Sequence, residues 1–580
     1  MPDLPAAPLA VLATLAVTAP TLLAWNVAPS STFLNQALAV ALWGAFVIAS
    51  AGLPGAPAGP ARPLGPALRA AWPLWAGLAV LAGAAAASCL AGSLPASLAL
   101  SALVLLAAAA VALLGGLAAP PQAFAALCVG LALAGLANVS IALVQVFAPQ
   151  WADGDWIARS ALAGRAVGNL RQPNHVASLL LWSSIALVAL VELGRLRPRW
   201  AWPALALLMW AVVLTASRTG MVGAVLLALW ALADRRLSRA GRALALSAPA
   251  WYALAWVGMA EWARQAHQAF GGAARLGESV EGSSRMGIWR DTLALIGEHP
   301  WWGVGFGEFN FAWSLTPFPN RPVAFFDHTH NLVLQFAVEL GLPLTALLMA
   351  LLAWALWRAA RRAWDAGNAR GVLAPGAPRA APASAPARLA LAMVAMIGLH
   401  SLLEYPLWYA YFLLPAAWCL GAALAAPGAD AWRETAARQA PPEVPQEVAP
   451  GVAHGVPRPG RAALQLGGAA LVLGALGAVA DYARVVPIFE AGEGAAPLAQ
   501  RIAAGQHSLL FAHHAHYAAA TVSATPAQEL PSLQQAAHHL LDTRLMMAWA
   551  RAYADAGDLE RARFLAARLR EFRNPASAEL

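Results

Sequence analysis

The sequence predicts an all-α polytopic membrane protein with about thirteen transmembrane helices, a large outward loop and an outward helical tail, and three observations predict it. Of 580 residues, 60% are apolar and only 11% are charged, where a soluble chain carries about a quarter charged residues. The apolar residues fall in blocks of about 20, the length that crosses a bilayer. The charges collect in the short stretches between those blocks. A soluble α/β enzyme is excluded on this composition.

The blocks run near 7–25, 33–52, 70–91, 96–116, 123–147, 175–193, 200–216, 218–233, 243–260, 331–357, 388–405, 407–426 and 462–482. Each is too long for a strand, and backbone groups in lipid must pair within their own segment, so helices follow. No basic stretch precedes the first block and many spans follow it, so it reads as a span and not as a cleaved leader. Cys89, Cys128 and Cys419 all lie within apolar blocks. They read as small core residues, without a disulfide or metal framework.

The net charge is +8, and every basic residue is arginine. The arginines form no nucleic-acid patch. One alternating set of loops holds Arg62 and Arg69, Arg195, Arg197 and Arg199, Arg235, Arg236, Arg239 and Arg242, Arg358, Arg361 and Arg362, and Arg433, Arg438, Arg458 and Arg461. Arginine-rich short loops stay in the cytoplasm. The N-terminus is then cytoplasmic, and three larger pieces face outward: 148–174, 261–330 and the tail 483–580. Pro/Ala/Gly-rich stretches at 371–387 and 440–460 read as flexible cytoplasmic linkers. The organisation expected is a five-helix region over 1–147, four helices with outward polar segments over 148–260, an outward loop over 261–330, helices over 331–482, and the tail.

Five outward segments carry functional side chains. Arg171-Gln172-Pro173-Asn174-His175 opens the sixth span, where Pro173 suits a first turn and Asn169 or Asn174 suits the cap. It reads either as a well-capped helix start with a snorkelling arginine or as an anion-binding helix N-terminus. Ser217-Arg218 lies at an outward turn between apolar spans, where an arginine is costly unless it snorkels or meets an anion. Its planar fork of donors suits phosphate oxygens. Arg285, Trp289 and Arg290 share a helix, which could also be an interfacial amphipathic helix. The following His299-Pro300-Trp301-Trp302-Gly303-Val304-Gly305-Phe306-Gly307 lacks the surrounding βαβ unit of a dinucleotide fingerprint, so its glycines read as turn formers.

Asp327-His328-Thr329-His330-Asn331 stands directly before the tenth span. His330 at a helix N-terminus suits a neutral general base. Capping is the plainer alternative, and metal binding lacks a third ligand at a standard offset. Glu404-Tyr405-Pro406-Leu407-Trp408 falls at the turn before the twelfth span. Its aromatics alone could be an interfacial belt, but Glu404 at the bilayer edge calls for a partner such as an outward arginine. In the tail, residues 548–558 resemble one tetratricopeptide helix-turn-helix unit, which cannot bury its core alone.

Ser217-Arg218, Arg285 with Trp289, His299-Pro300 with Gly303-Val304-Gly305, and His330-Asn331 resemble, in that order, the O-antigen ligase superfamily. Arg171-Gln172-Pro173-Asn174-His175 and Glu404-Tyr405-Pro406-Leu407-Trp408 resemble its pilin-glycosylating branch, the bacterial protein O-oligosaccharyltransferases. The resemblance covers roughly 160–420 and implies a GT-C-like membrane fold in the bacterial inner membrane, with the active site facing the periplasm. It implies transfer of a glycan from an undecaprenyl-diphosphate carrier to a Ser/Thr hydroxyl of a pilin-like protein, with no metal or other cofactor. By that likeness Arg218 and Arg285 bind the diphosphate, His330 is catalytic, and Gln172 and Tyr405 position substrate. Arg171, Asn174, His175, Arg290, His328, Asn331 and Glu404 complete the expected substrate-binding set. Three readings compete: a lipid A-core or glycan acceptor, which would make the chain a ligase or polymerase; a flippase for the lipid-linked glycan; and a membrane-anchored binding protein acting through its helical tail. A flippase would place ionisable groups near the midplane with inverted repeats, which the sequence does not show.

Overall fold

A computed structural model describes residues 7–52, 64–162, 164–267, 270–272, 284–323, 325–368, 385–425 and 458–573. Among the described residues every regular element is helical. The first eleven helices are α1 Ala7–Leu22, α2 Phe33–Gly52, α3 Leu64–Ala70, α4 Trp72–Leu90, α5 Ala96–Leu117, α6 Pro121–Phe147, α7 Pro173–Glu192, α8 Pro198–Leu214, α9 Arg218–Ala233, α10 Arg239–Leu246 and α11 Ala248–Ala266. Then follow α12 Ser284–Glu298, α13 Phe309–Leu315, α14 Leu332–Asn368, α15 Ala385–Ser401, α16 Ala410–Leu424 and α17 Arg458–Tyr482. The tail adds α18 Val486–Phe489, α19 Leu498–Gly505, α20 Ala512–Val522, α21 Leu530–Ala537, α22 Thr543–Asp555 and α23 Leu559–Glu571.

Among the described residues eight helices are long and apolar enough to cross a membrane, and five shorter apolar helices accompany them. Every expected span therefore meets an apolar helix, and the chain is a multi-pass membrane protein. Boundaries differ in several places. The span expected at 407–426 begins at Ala410, because Pro406–Trp408 forms a 3₁₀ turn. The span expected at 388–405 stops at Ser401, leaving Glu404 in the turn. The span expected at 331–357 continues to Asn368. The two linker stretches fall largely outside the described residues, and only their ends, 385–387 and 458–460, appear, as first turns of helices.

Helix α7 is the hub, buried along nearly its whole length. It packs on α6, α8, α9, α10 and α15. Around this centre α1 packs on α2 and α6, α16 on α5 and α15, and α17 on α2. The α2–α17 crossing is close: a Cβ on Gly44 would lie 2.5 Å from the Gly468 carbonyl oxygen. Small residues permit such backbone approach where no hydrophobic effect drives helices together.

The arginine-rich ends of the spans meet one another. Arg388 donates to Asp234 at 2.9 Å, Arg236 to the Trp364 carbonyl at 2.7 Å, and Arg362 to the Leu424 carbonyl at 2.6 Å. Arg388 opens α15 and Glu404 follows its end, so the arginine cluster and Glu404 lie at opposite ends of the bundle, about 20 Å apart by helical rise.

Helix α14 is broken at Gly341, with φ 76°, ahead of Pro343. Pro343 has no N–H for the Glu339 carbonyl. The glycine-rich segment makes good the loss. Gly305 N donates to Glu339 O at 3.0 Å, Val304 N to Val338 O at 2.8 Å, and Leu342 N to Pro300 O at 2.8 Å. Gly303, Gly305 and Gly307 all have positive φ, which agrees with turn formation. The turn also docks against a helix break that the sequence did not disclose.

The tail folds back on α12–α14. Buried Arg321 pairs with Glu571 at 3.0 Å, Phe325 stacks on Phe572 at 3.9 Å, and His538 Nδ1 meets Glu308 Oε2 at 2.6 Å. Helices α22 and α23, the tetratricopeptide-like pair, share that apolar core with α12–α14.

Candidate active site

Each segment presents its side chains from a helix entrance. Gln172 caps α7, its Oε1 accepting from the backbone N–H of Asn174 and of His175. The expected caps do other work. Asn169 is buried and bridges the Leu22 and Trp156 carbonyls, at 2.6 and 2.9 Å. Asn174 reaches out of the first turn. A cap two residues earlier therefore frees the amide at Asn174. Ser217 caps α9, accepting from Gly220 N at 3.1 Å, and donates to Asn174 Oδ1 at 2.6 Å. Arg218 is the first residue of that helix. Asn331 caps α14, accepting from Val333 and Leu334 N–H at 3.0 and 3.1 Å, and donates to the Leu402 carbonyl at 3.0 Å.

His330 precedes this cap with φ 56°. That left-handed conformation is uncommon for a residue with a side chain and collects at functional sites. The Thr329 backbone holds it there: its N–H donates to Gln335 at 2.8 Å, and its carbonyl accepts from Trp289 Nε1 at 2.8 Å. Arg285 and Trp289 both stand on α12, so one helix supplies both the arginine and the brace behind His330.

These segments converge on Glu404. Its Oε1 accepts from Asn174 Nδ2 at 2.7 Å and from the Arg285 guanidinium, and its Oε2 lies 2.7 Å from His330 Nδ1. The carboxyl is only 4% exposed. Burial pushes its pKa up, but the hydrogen bond with His330 and the charge of Arg285 act against burial, and it is held at about 2. An ionised carboxylate only accepts, so His330 Nδ1 must carry the hydrogen. That fixes the tautomer and leaves Nε2 without the hydrogen, the arrangement by which a carboxylate orients an imidazole base.

Tyr405 forms a wall beside this group. It stacks on His328 at 4.0 Å with planes 1° apart, and meets His330 edge to face at 5.1 Å. Burial, with Asp327 and the neighbouring tyrosine, raises its pKa, and Tyr409 is pushed up to about 12, so both stay neutral phenols. His328 Nδ1 lies 2.8 Å from Asp327 Oδ1. The two histidines therefore address different carboxylates.

The structure thus gathers Asn174, Ser217, Arg285, His330, Glu404, Tyr405 and His328, with Arg218 beside Ser217 and Asn331 bracing the loop. Three expected residues stand apart. Arg171 turns to the Ala24 and Ser31 carbonyls, at 2.8 and 3.4 Å, and fastens α7 to the α1–α2 connection. Arg290 is 57% exposed and bonds Asp291 and the Asn320 carbonyl. His175, 1% exposed, is enclosed by Tyr409, Tyr411 and Phe412 within the bundle. The bond from Ser217 to Asn174 was missed in the sequence, as was the bracing role of Gln335. Neither has a local signal, because each depends on a partner brought up by folding.

A multi-pass helical bundle with a buried carboxylate–imidazole–guanidinium cluster at one end is the class this architecture defines. Residues 203–349 match the O-Antigen ligase family, 166–191 the Protein glycosylation ligase family, and 388–578 the family of the virulence factor membrane-bound polymerase C-terminal region. The first stretch holds Arg218, Arg285 and His330, the second Gln172 and Asn174, and the third Glu404 and Tyr405. Over 266 residues the chain is 28% identical to the General O-oligosaccharyltransferase of Acinetobacter baylyi, covering 44% of this chain and 43% of that relative. The match therefore spans less than half the length of that curated protein. These likenesses bear out the resemblance read from the motifs.

Proposed function

We propose that the chain is an oligosaccharyltransferase that moves a glycan from an undecaprenyl-diphosphate carrier to a serine or threonine hydroxyl of an acceptor protein such as pilin, on the periplasmic side. The observation that carries this reading is the Glu404 cluster: one carboxylate fixes the tautomer of His330 and ties Arg285 and Asn174 to it. His330 Nε2 takes the acceptor hydroxyl's proton as its oxygen bonds to the anomeric carbon. The bond from that carbon to the diphosphate oxygen breaks, and the diphosphate leaves as an anion. Arg218 and the Arg285 donors not used by Glu404 stabilise the charge growing there. Preorganised donors of this kind commonly supply the largest catalytic contribution. Tyr405 and Gln172 position substrate, Tyr405 as an aromatic wall and Gln172 through the helix start it caps.

The direct test is glycan transfer by membranes carrying His330→Ala at matched expression. Transfer should be lost; transfer at the unmodified rate removes His330 from the mechanism. Mass spectrometry of pilin and lipopolysaccharide from a deletion strain decides the acceptor. Loss of glycan from the protein alone supports the proposal, and loss from lipid A-core alone overturns it in favour of a ligase.

A further inference from the structure

The tail holds a second cluster of chemistry-bearing side chains that the proposed reaction does not use. His513 and His514 lie in the first turn of α20, and His539 follows the end of α21. The His513 ring centroid is 4.2 Å from His514 and 3.9 Å from His539, and His514 and His539 are 5.2 Å apart. One ring nitrogen from each lies within 4.8 Å of the others. His513 is 5% exposed, and its Nδ1 is buried without a hydrogen-bond partner. An unpaired buried polar atom is destabilising, so such groups call for a partner.

We propose that His513, His514 and His539 form a tri-histidine site for a divalent transition-metal ion. Imidazole nitrogens suit Zn²⁺, Cu²⁺ or Ni²⁺ and disfavour Ca²⁺ or Mg²⁺, which demand oxygen. Three nitrogens at about 2.0–2.1 Å from a tetrahedral zinc ion stand about 3.4 Å from one another. Small side-chain rotations close the present spacing. His539 is exposed, which gives the ion an entry path and leaves the fourth position to water.

The ion ties α20 to the end of α21. Next to His539, His538 stacks on Phe311 at 4.3 Å and contacts Glu308. A metal at the triad therefore fixes the stretch of tail that grips the loop behind the candidate active site. The site is a structural clamp, and it does not depend on the acceptor or donor proposed above.

The test uses full-length protein in detergent, purified with a tag that contains no histidine and stripped with EDTA. Co²⁺ titration should give one saturable ligand-field band per chain, which Zn²⁺ displaces. His513→Gln and His539→Gln should each weaken binding by more than about 100-fold, above the cost of losing an outer-shell partner. His507→Gln, an exposed tail histidine outside the cluster, should leave binding unchanged. Zn²⁺ should raise the melting temperature of the unmodified protein and not that of His539→Gln, since a ligand stabilises only the state that binds it. Should His513→Gln fail to fold, the exposed His539 carries the decision. No saturable binding, or equal binding in the unmodified protein and His539→Gln, overturns the proposal.

Discussion

Replacing Glu404 with glutamine probes the centre of the candidate site. Three donors converge on the carboxylate: His330 Nδ1 at 2.7 Å, Asn174 Nδ2 at 2.7 Å and the Arg285 guanidinium. An amide keeps the shape but offers one accepting oxygen and one donating NH₂. With the oxygen toward Arg285 and Asn174, the NH₂ faces His330 and forces the other tautomer, whose Nε2 carries hydrogen and cannot act as a base. With the oxygen toward His330, the NH₂ is driven against two donors, at a cost of about 1–3 kcal/mol for the unpaired group. The corresponding amide substitution in a Ser-His-Asp triad lowers turnover about 10⁴-fold through the wrong tautomer. We expect a fall of about 10³- to 10⁴-fold here, equivalent to about 4–5 kcal/mol at roughly 1.4 kcal/mol per tenfold.

Stability should change with it. Glu404 is held at about 2 against an ordinary 4.5, so its folded-state pKa is depressed. A depressed carboxyl stabilises fully above its unfolded pKa, and that contribution is lost as pH falls through the folded value. The difference of these values corresponds to about 3 kcal/mol. Glu404→Gln should therefore melt below the unmodified protein at pH 7, and the gap should close between pH 4.5 and about 2. The assay is initial-rate transfer from a lipid-linked donor by purified protein, paired with melts across that pH window. Unchanged turnover in a folded variant refutes the tautomer argument, and a pH-independent gap refutes the charge argument.

Three further outcomes are expected. Glu571→Gln removes the ion partner of fully buried Arg321; breaking such a pair costs about 3–5 kcal/mol, read as faster proteolysis of the loop around 309–326, and unchanged protection counts against tail–loop docking. Gly303→Ala places a Cβ 2.4 Å from the Glu339 backbone at φ 68°, and the left-handed strain alone costs about 1–2 kcal/mol, so its melting temperature should drop clearly; an unchanged value refutes the docked break. Tyr405→Phe keeps the stack on His328 and should retain most transfer, whereas Tyr405→Ala opens the wall and should lose about tenfold or more, as misplacement near a reacting group does; equal rates for the two would remove the aromatic wall from the site.

The sequence by itself determined the membrane class and the positions of the spans. Crossing lipid demands a stretch of apolar residues with internally paired backbone, and few structures meet that demand. It also marked the span ends that hold the candidate residues, because arginine sidedness and helix-entrance residues are local signals. His330, Arg218 and Arg285 were legible as candidates for that reason, and Glu404 as a residue in want of a cation. What joins them was not legible. Glu404 meets Asn174, Arg285 and His330 across 230, 119 and 74 residues of chain, and no periodicity encodes partners so far apart. Packing around α7 made that choice, and in doing so it turned Arg171, Arg290 and His175 away from the cluster. The same holds for the break in α14 and for the tail. Pro343 announces a lost hydrogen bond, but only the folded chain shows that Gly305 supplies the replacement. The tail's histidines were visible as residues, and their meeting depends on how α20 and α21 pack.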